Sequence, residues 1–309
     1  MRQRSNRILC GLAVAAGLSL VLATAATAVT IIGDGSDNTL TGTFARDRIA
    51  ARGGADTINA LAGADSVHAG ADNDVVNANR GADRAFGAAG DDALNGDLGP
   101  DRLHGNAGND SIEGGPGFDL ITGNAGGDRL TGGAGCDRIF AGPDDDTLDG
   151  GAGLGFRRFR CERLHGGLGN DTSNGGPGRD FMSGGQGDDT QTGDGGADKI
   201  FANRGRDVSD GGDGNDVLWA LARVDVTAIG DPDGDDLTGG EGDDRFLVRD
   251  GEVDKVHCGG GSDRVLADQF DQVEADCERL ERRDITSLDQ VQDQEENSTE
   301  NPPEDDDEG

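Results

Sequence analysis

The sequence predicts an all-β fold, a solenoid of nine-residue repeats, and three observations support this prediction. Glycine makes up 56 of the 309 residues, which is more than ordinary helical domains contain. Aspartate recurs every nine residues along most of the chain, and an aliphatic residue follows most of these aspartates by two positions. A fixed short period is typical of stacked architectures, in which one unit alone cannot bury its apolar side.

Residues 1–28 are predicted to be a cleaved secretory signal peptide. Three arginines in the first seven residues precede an apolar run over residues 8–22, and Ala26-Thr27-Ala28 supplies a small-residue cleavage pattern. An uncleaved membrane anchor is the alternative, but the run is short for a bilayer span. We therefore expect a secreted, extracellular protein, with association to the cell surface left open.

Residues 29–149 form the first predicted repeat block. Glycine occupies most positions two before the repeated aspartate, and glycine or asparagine many positions four before it. These residues accept positive φ angles, so each unit is interpreted as a tight turn followed by a very short strand. Two units per solenoid turn would place alternate units on opposite sheets. The aspartates of this block, each nine residues after the last, are Asp47, Asp56, Asp65, Asp74, Asp83, Asp92, Asp101, Asp110, Asp119, Asp128, Asp137 and Asp146.

An inserted loop containing Cys161 is predicted at residues 150–165, and a second repeat block at residues 166–228. In the second block the aliphatic position alternates between apolar and polar residues. Since a buried polar group without a partner costs about 1–3 kcal/mol, we expect this block to be less stable, or its polar sheet to face water or a partner. The aspartates are Asp171, Asp180, Asp189, Asp198, Asp207, Asp216 and, weakly, Asp225; the apolar residues are Met182, Ile200 and Leu218; the polar residues are Ser173, Gln191, Ser209 and Thr227.

Residues 229–284 are predicted to contain irregular repeats and a disulfide-linked C-terminal cap. Residues 231–236 begin like an EF-hand loop but lack its glycine and its final glutamate, which favours a solvated linker over a loose calcium loop. Residues 285–309 are predicted to be a disordered acidic tail, because ten acids and no base follow from Asp289 onward. The aspartates of the irregular repeats are Asp235, Asp244, Asp254, Asp263 and Asp271.

The repeats resemble the hemolysin-type calcium-binding repeat, or RTX nonapeptide, whose pattern is G-G-x-G-x-D-x-U-x. The best matches are residues 114–121, 132–139 and 184–189, and the resemblance covers nearly all of residues 33–273. It implies a parallel β-roll, a form of β-helix solenoid, with multiple Ca²⁺ ions in its turns. It also implies a secreted bacterial protein.

The chemistry of the repeated residues agrees with calcium binding. Stacked turns lie about 4.8 Å apart, where like charges repel by roughly 1–4 kcal/mol per pair. Ca²⁺ accepts six to eight carboxylate and carbonyl oxygens in flexible geometry, whereas Mg²⁺ demands an octahedron. By analogy with the family, the predicted turn glycines are Gly96, Gly105, Gly114, Gly123, Gly132 and Gly184. The predicted ligands are Asp92, Asp101, Asp110, Asp119, Asp128, Asp137, Asp146, Asp171, Asp180, Asp189, Asp198, Asp207, Asp216, Asp244 and Asp263.

Some turns depart from this pattern and are weaker candidates. Arg52, Leu61 and Ala88 replace the glycine four before the aspartate, and Asp72 and Asp144 replace the glycine two before it. An aspartate in such a turn is as well explained as a solvated turn residue.

Four of the five cysteines remain after the signal peptide, and two similar Cys-Glu-Arg-Leu segments contain two of them. The local choice among three connectivities is Cys136–Cys161 and Cys258–Cys277. A zinc site made of Cys161, His165, His257 and Cys258 is the alternative. The basic run at residues 157–160 is expected to neutralise the acidic edge of the roll, with an acidic partner as the alternative.

The composition excludes several classes of function. A net charge of −34 repels nucleic acid and anionic lipid. The chain has no H-E-x-x-H, G-x-S-x-G or P-loop motif, so we do not expect an enzyme. The favoured function is a secreted calcium-binding scaffold that folds on binding Ca²⁺. A calcium-dependent surface adhesin is the alternative and would need an exposed apolar patch, for which Trp219, Phe246 and Phe270 are the candidates. An enzyme accessory domain is a remote alternative, and the oligomeric state is left open.

Overall fold

The structure is a computed structural model that describes residues 27–153, 162–220, 230, 232 and 234–286. Every regular element in these ranges is a β-strand, which confirms the predicted all-β class. None of the described residues forms a helix long and apolar enough to cross a membrane. Several predictions concern residues outside these ranges: the signal segment up to residue 26, the basic run at 157–160, Cys161, residues 225 and 227, and the tail from residue 287.

The strands are short and follow the nine-residue repeat. In chain order they are β1 (Thr30–Ile32), β2 (Thr39–Thr41), β3 (Arg48–Gly53), β4 (Thr57–Asn59), β5 (Ala62–Gly63), β6 (Ser66–Ala71), β7 (Val75–Asn77), β8 (Arg80–Gly81), β9 (Arg84–Ala89), β10 (Ala93–Asn95), β11 (Arg102–Ala107), β12 (Ser111–Gly117), β13 (Leu120–Ala125), β14 (Arg129–Gly135), β15 (Arg138–Pro143) and β16 (Thr147–Gly153). They continue with β17 (Arg163–Leu168), β18 (Thr172–Asn174), β19 (Pro177–Gly178), β20 (Phe181–Gln186), β21 (Thr190–Thr192), β22 (Gly195–Gly196), β23 (Lys199–Arg204), β24 (Val208–Gly214), β25 (Val217–Trp219), β26 (Asp236–Glu241), β27 (Arg245–Val248), β28 (Lys255–Gly260), β29 (Arg264–Ala267), β30 (Gln272–Val273) and β31 (Arg279–Arg282).

Successive units alternate between two parallel sheets, as the repeat predicts. Sheet 1 has the order β1-β3-β6-β9-β11-β13-β15-β17-β20-β23-β25-β27-β29-β31. The main path of sheet 2 has the order β2-β4-β7-β10-β12-β14-β16-β18-β21-β24-β26-β28-β30. Strand partners are 18 residues apart through most of the described chain, as Leu103 is opposite Ile121. Between residues 236 and 282 the offset varies, as from Arg245 to Arg264 and from Arg264 to Arg279. One solenoid turn therefore consists of two nine-residue units.

The core is a thin apolar layer between the two sheets. The aliphatic residue two after each aspartate points inward, and Leu103, Ile121 and Leu130 are fully buried there. Side chains alternate sides along a strand, so the next residue of each strand faces out. Because only one or two positions per unit reach the core, large aromatic residues are not needed to fill it.

The polar sheet of the second block does not face water, so that expectation was wrong. Ser173, Gln191 and Ser209 stack in sheet 2 between Leu148 and Leu237 and are buried. With its amide oriented to satisfy both ends, Gln191 donates to the Phe201 carbonyl oxygen and accepts from the Gly184 N–H, each at 3.0 Å. The polar residues therefore face inward, and Gln191 gains two backbone hydrogen-bond partners there.

The insertions leave the stack in register. Strands β15 and β17 pair across the first insertion, with Arg138 opposite Arg163. Strands β16 and β17 reach into both ends of the segment predicted as an inserted loop at 150–165. A second insertion separates β25 from β26, and β24 pairs with β26 across it. The strand pairing of the solenoid is therefore unchanged across both insertions.

The apolar patch proposed for an adhesin is not exposed. Phe201 and Trp219 are each 1% exposed, and with Phe181 they form a small cluster of their own on sheet 1, apart from the main core. Their rings stack with centroids 4.3 Å apart. Phe246 is fully buried in the main core, and Phe270 is half-buried.

Candidate metal centre

The repeated aspartates form two hydrogen-bonded ladders along the solenoid. The backbone N–H of each aspartate donates to Oδ1 of the aspartate one solenoid turn later, as Asp101 does to Asp119 and Asp110 to Asp128, each at 2.8 Å. Across the first insertion Asp146 still donates to Asp171 at 2.9 Å. One ladder precedes the strands of sheet 1 and the other precedes those of sheet 2. Each turn thereby presents a fixed carboxylate to its neighbour.

At most of the described aspartates of the ladders the second carboxylate oxygen, Oδ2, has no hydrogen-bond partner. The side chains are buried, with Asp101 at 1% exposure and Asp119 at 2%. A buried carboxylate oxygen without a donor is costly, and here the cost recurs at nearly every rung. The described aspartates whose Oδ2 atom is buried without a hydrogen-bond partner include Asp56, Asp65, Asp74, Asp83, Asp92, Asp101, Asp110, Asp119, Asp128, Asp137, Asp146, Asp171, Asp180, Asp189, Asp198, Asp216, Asp244 and Asp263.

In most of the described turns the residue four before the aspartate is in the left-handed conformation. Gly115 has φ of 94° and Asn106 has φ of 81°, as expected where glycine and asparagine recur. Arg52, Leu61 and Ala88 adopt the same conformation, with φ of 88°, 75° and 91°. Non-glycine residues in this region carry strain of order 1–3 kcal/mol each, so the repeat imposes one turn shape on sequences that do not favour it.

The residue five positions before each repeated aspartate lies beside the unpartnered Oδ2 atom, so its size determines how closely that oxygen is packed. At Gly96, Gly114 and Gly132 a Cβ atom would lie 2.7–2.8 Å from Oδ2 of the following repeated aspartate. At Gly105, Gly123 and Gly184 it would also overlap that oxygen. The six glycines predicted from the sequence therefore all lie directly beside the free carboxylate oxygen.

Two groups of turns differ at this position. We call the turns that end at Asp92, Asp101, Asp110, Asp119, Asp128 and Asp137 the central turns; glycine stands five before each aspartate. We call the turns that end at Asp56, Asp65, Asp74 and Asp83 the upstream turns. Alanine stands at that position in all four: Ala51, Ala60, Ala69 and Ala78, each fully buried.

Burial raises the pKa of the ladder carboxyls. The pKa of Asp110 rises to about 6 and that of Asp119 to about 7, chiefly by desolvation and only partly offset by the backbone hydrogen bond. The neighbouring ladder aspartate adds repulsion, as Asp119 does for Asp101, whose pKa also rises to about 7. The fold therefore disfavours the charged carboxylates in the absence of a counter-ion.

These features fit a hard cation such as Ca²⁺. The donors are carboxylate and carbonyl oxygens, with no nitrogen or sulfur among the repeated positions, which is the ligand type of Ca²⁺ and not that of Zn²⁺. Carbonyl oxygens of one turn also press against the glycines of the next, as the Asp97 oxygen does at Gly115. A Cβ at these glycines would not fit. The turns can therefore offer carbonyls together with the unsatisfied carboxylate.

Asp47, the first aspartate of the ladder that precedes sheet 1, has hydrogen-bond partners at both carboxylate oxygens. Thr43 stands four before Asp47, and its backbone N–H and hydroxyl donate to Asp47 Oδ2 at 2.5 and 3.0 Å. The Val29 N–H donates to Oδ1 at 2.7 Å. Because both oxygens have protein partners, this rung lacks the orphaned oxygen of the others.

Sequence reasoning missed several ladder members. Glu162 and Glu278 stand in the aspartate position, and Glu278 Oε2 accepts from the Asp263 N–H at 2.9 Å. Burial and the neighbouring Asp180 raise the pKa of Glu162. The signal was present, since Leu164 and Leu280 follow these glutamates by two positions, as the aliphatic residue follows each aspartate. The upstream aspartates were also left out of the predicted ligands, although their Oδ2 atoms are equally unpartnered.

The cysteines favour disulfides over zinc. Cys258 and Cys277 are disulfide-bonded, with Cα atoms 5.2 Å apart, so the sulfur of Cys258 is not available to a metal. The imidazole of His257 faces Asp236 and Glu274 at 3.3 Å each. Cys136 is also disulfide-bonded, while its predicted partner Cys161 lies outside the described residues.

The chain matches one family of known proteins. A family model described as RTX calcium-binding nonapeptide repeat (4 copies) matches residues 32–67, 51–85, 68–103, 86–121, 122–155, 165–198 and 183–218. These matches together cover more than half of the 309 residues. No curated protein matches the chain.

Proposed function

Because this chain belongs to the RTX calcium-binding nonapeptide repeat family, we propose that it is a secreted protein whose β-roll folds on binding Ca²⁺. We propose further that the folded roll serves as an extracellular structural or interaction scaffold. The family supports calcium binding itself; secretion, calcium-dependent folding and the scaffold role are the parts that require tests.

One observation carries the proposal: a buried carboxylate oxygen without a hydrogen-bond partner recurs in turn after turn. An unfolded chain does not hold these oxygens together, so the free energy of ion binding becomes free energy of folding. The residues that would hold the ions are the predicted ladder aspartates from Asp92 to Asp263, with carbonyl oxygens from the glycine-rich turns. Calcium would supply the positive charge that the ladders lack.

Secretion is inferred from the charged start, the apolar run and the Ala26-Thr27-Ala28 pattern of the N-terminus. The scaffold role is favoured over an adhesin because Trp219 and Phe246, the residues proposed for an apolar docking patch, are buried. A search of culture medium and cell fractions by immunoblot would test the location.

Far-UV circular dichroism tests calcium-dependent folding. The protein from residue 29 onward is measured in chelator, in millimolar Ca²⁺ and in millimolar Mg²⁺. We expect little β signal in chelator, a large gain with Ca²⁺ and a much smaller gain with Mg²⁺. A protein that keeps its full β spectrum and Tm in chelator would contradict the proposal.

A further inference from the structure

The turn between β27 and β28 contains three acids. Its sequence is Asp250-Gly251-Glu252-Val253-Asp254, in which Asp254 holds the ladder position. Glu252 stands two residues before Asp254, where every central turn has glycine, and Asp250 stands four residues before it. All three carboxylate side chains are buried, at 1%, 4% and 0% exposure.

The backbone of this turn differs from that of the regular turns. Gly251, three residues before Asp254, is in the left-handed conformation with φ of 95°. In the central turns the residue four before the aspartate has this conformation. The Gly251 N–H donates to Asp268 Oδ2 at 3.0 Å, and the Glu252 N–H donates to Asp250 Oδ1 at 3.1 Å. In this arrangement one ligand oxygen from each of Asp250, Glu252 and Asp254 lies within 4.8 Å of the others.

The neighbouring ladder aspartates add negative charge around Asp254. Asp254 Oδ1 accepts from the Asp235 N–H at 2.8 Å, and the Asp254 N–H donates to Asp271 Oδ1 at 3.4 Å, so two more carboxylates stand next to Asp254 in the ladder. Asp254 is completely buried, and its Oδ2 atom has no hydrogen-bond partner. Burial raises the pKa of Asp254 well above its usual value, and repulsion from Asp250 is the largest electrostatic contribution.

We propose that Asp250, Glu252 and Asp254 together bind a Ca²⁺ ion at a site that differs in kind from the ladder turns. In the ladder turns one carboxylate is supplemented by backbone carbonyls, whereas here three side-chain carboxylates converge. Because the charge of the ligand set raises the affinity for Ca²⁺, this site fills first as the metal concentration rises. Oxygen-only ligands select Ca²⁺ over zinc or copper.

The single tryptophan offers a local probe. Trp219 is the only tryptophan and the chain has no tyrosine, and Trp219 is the strand partner of Leu247, three residues before Asp250. Tb³⁺, an oxygen-seeking substitute for Ca²⁺, emits when excited through a nearby indole. The experiment is a Tb³⁺ titration of the protein, with excitation of Trp219 and Ca²⁺ competition.

Two double variants are compared with the wild type. Asp250→Asn with Glu252→Gln removes two proposed ligands and leaves the ladder residue Asp254 in place. Glu241→Gln with Asp243→Asn makes the same charge change on two exposed acids of the preceding turn. We expect the emission at the first equivalent of Tb³⁺ to be lost in the first double variant, with at least tenfold weaker binding, and to be unchanged in the second.

Two further measurements separate this site from the ladder and from misfolding. Asp244→Asn disables the nearest ladder turn and is expected to leave the first phase of emission intact. In saturating Ca²⁺, Asp250→Asn with Glu252→Gln should keep the far-UV circular dichroism spectrum of the wild type, so that loss of the first phase reports on the site and not on folding. An unchanged first phase in that variant, loss of the first phase in Asp244→Asn instead, or an unfolded spectrum of the first variant in Ca²⁺ would each overturn the proposal.

Discussion

The upstream and central turns share one carboxylate ladder and differ by one methyl group beside it. In both groups an aspartate N–H donates to the next Oδ1, as in Asp56 to Asp74 at 2.7 Å and Asp101 to Asp119 at 2.8 Å. In both groups Oδ2 is buried and unpartnered. The upstream turns have the Cβ of alanine beside that carboxylate, whereas the central turns have glycine, where a Cβ would crowd the oxygen.

The upstream turns show that the solenoid can form with alanine at the fifth position before the aspartate, so glycine there is not required for stacking. In the central turns Oδ2 lies against a glycine that has no Cβ. From this difference we infer that the ladder alone does not make a metal site and that glycine at this position allows an ion to share the carboxylate. Strained residues such as Arg52 and Leu61 also occur upstream, where the turns retain the shape without the full glycine pattern.

The largest predicted effect is a reversal of pH dependence by calcium, because many carboxyls contribute to it. The pKa of Asp110 is raised to about 6 and that of Asp119 to about 7, above the ordinary value. Such groups stabilise the metal-free fold at low pH, and this stabilisation is lost as the pH rises through 6 to 7. With Ca²⁺ bound the carboxylates must be ionised, so stability should instead fall as the pH drops.

Far-UV circular dichroism in chelator and thermal melts in millimolar Ca²⁺, each at pH 5 and pH 8, check this prediction. The expected result is more β signal at pH 5 than at pH 8 in chelator, and a higher Tm at pH 8 than at pH 5 in Ca²⁺. The same pH trend in both buffers would show that the buried carboxylates are not the calcium ligands.

Neutralising one ladder carboxylate should separate the two groups of turns. Asp119→Asn keeps an acceptor for the Asp101 N–H but removes the charge, and Asp74→Asn does the same upstream, where Asp72 and Ala69 replace glycines. Asp119→Asn should lose the stabilisation from one bound ion, about 3 kcal/mol at a Ca²⁺ concentration 100 times Kd. Asp74→Asn should lose much less.

The comparison is made on the increase in Tm between a low and a high Ca²⁺ concentration in each variant, so that effects of the substitution that do not depend on the ion cancel. Equal losses in Asp119→Asn and Asp74→Asn would show that glycine content does not mark the filled sites.

Adding the upstream methyl group to a central turn should weaken one site without unfolding the roll. Gly105→Ala places a Cβ against the Asp110 carboxylate and against no other group as close. We expect up to tenfold weaker calcium binding at that turn, about 1.4 kcal/mol, by isothermal titration calorimetry. The reverse change, Ala78→Gly, is the matched control and should not weaken binding; a Gly105→Ala protein with unchanged affinity would break the comparison.

The smallest effect concerns the polar core of the second block. Gln191→Leu restores the aliphatic pattern but removes the side-chain acceptor of the Gly184 N–H, while the Phe201 carbonyl oxygen still accepts from Asn203 Nδ2 at 3.2 Å. A buried unsatisfied group costs about 1–3 kcal/mol, and the added apolar burial offsets part of it. We expect a net loss of about 1 kcal/mol by chemical denaturation in Ca²⁺, whereas a clear gain in stability would show that Gln191 makes no useful bonds.

Much of the architecture could be predicted from the period of the sequence. The spacing of Asp101, Asp110 and Asp119, with Leu103 and its equivalents two positions later, gives the two sheets and the inward face directly. The repeat and the family resemblance also predict six turn glycines, Gly96, Gly105, Gly114, Gly123, Gly132 and Gly184. These features depend on residues within one nine-residue unit and recur in each unit, so the structure of one unit predicts that of the next.

Other features could not be read from the repeat because they depend on neighbouring turns. Glu162 and Glu278 hold ladder positions after an insertion and an irregular segment, which break the nine-residue count but not the strand register. Gln191 looked unsuited to a core until its backbone partners on β20 and β23 were placed beside it. Asp250 and Glu252 carry no signal in the repeat pattern, since only the folded chain brings their carboxylates to Asp254.

Hydrogen exchange measured by mass spectrometry, with and without Ca²⁺, tests most directly the claim that calcium is held by the central turns. Peptides covering residues 92–137 should gain strong protection on adding Ca²⁺, and peptides covering residues 48–83 should gain clearly less. Uniform protection of both regions, or protection that is already complete in chelator, would contradict the account.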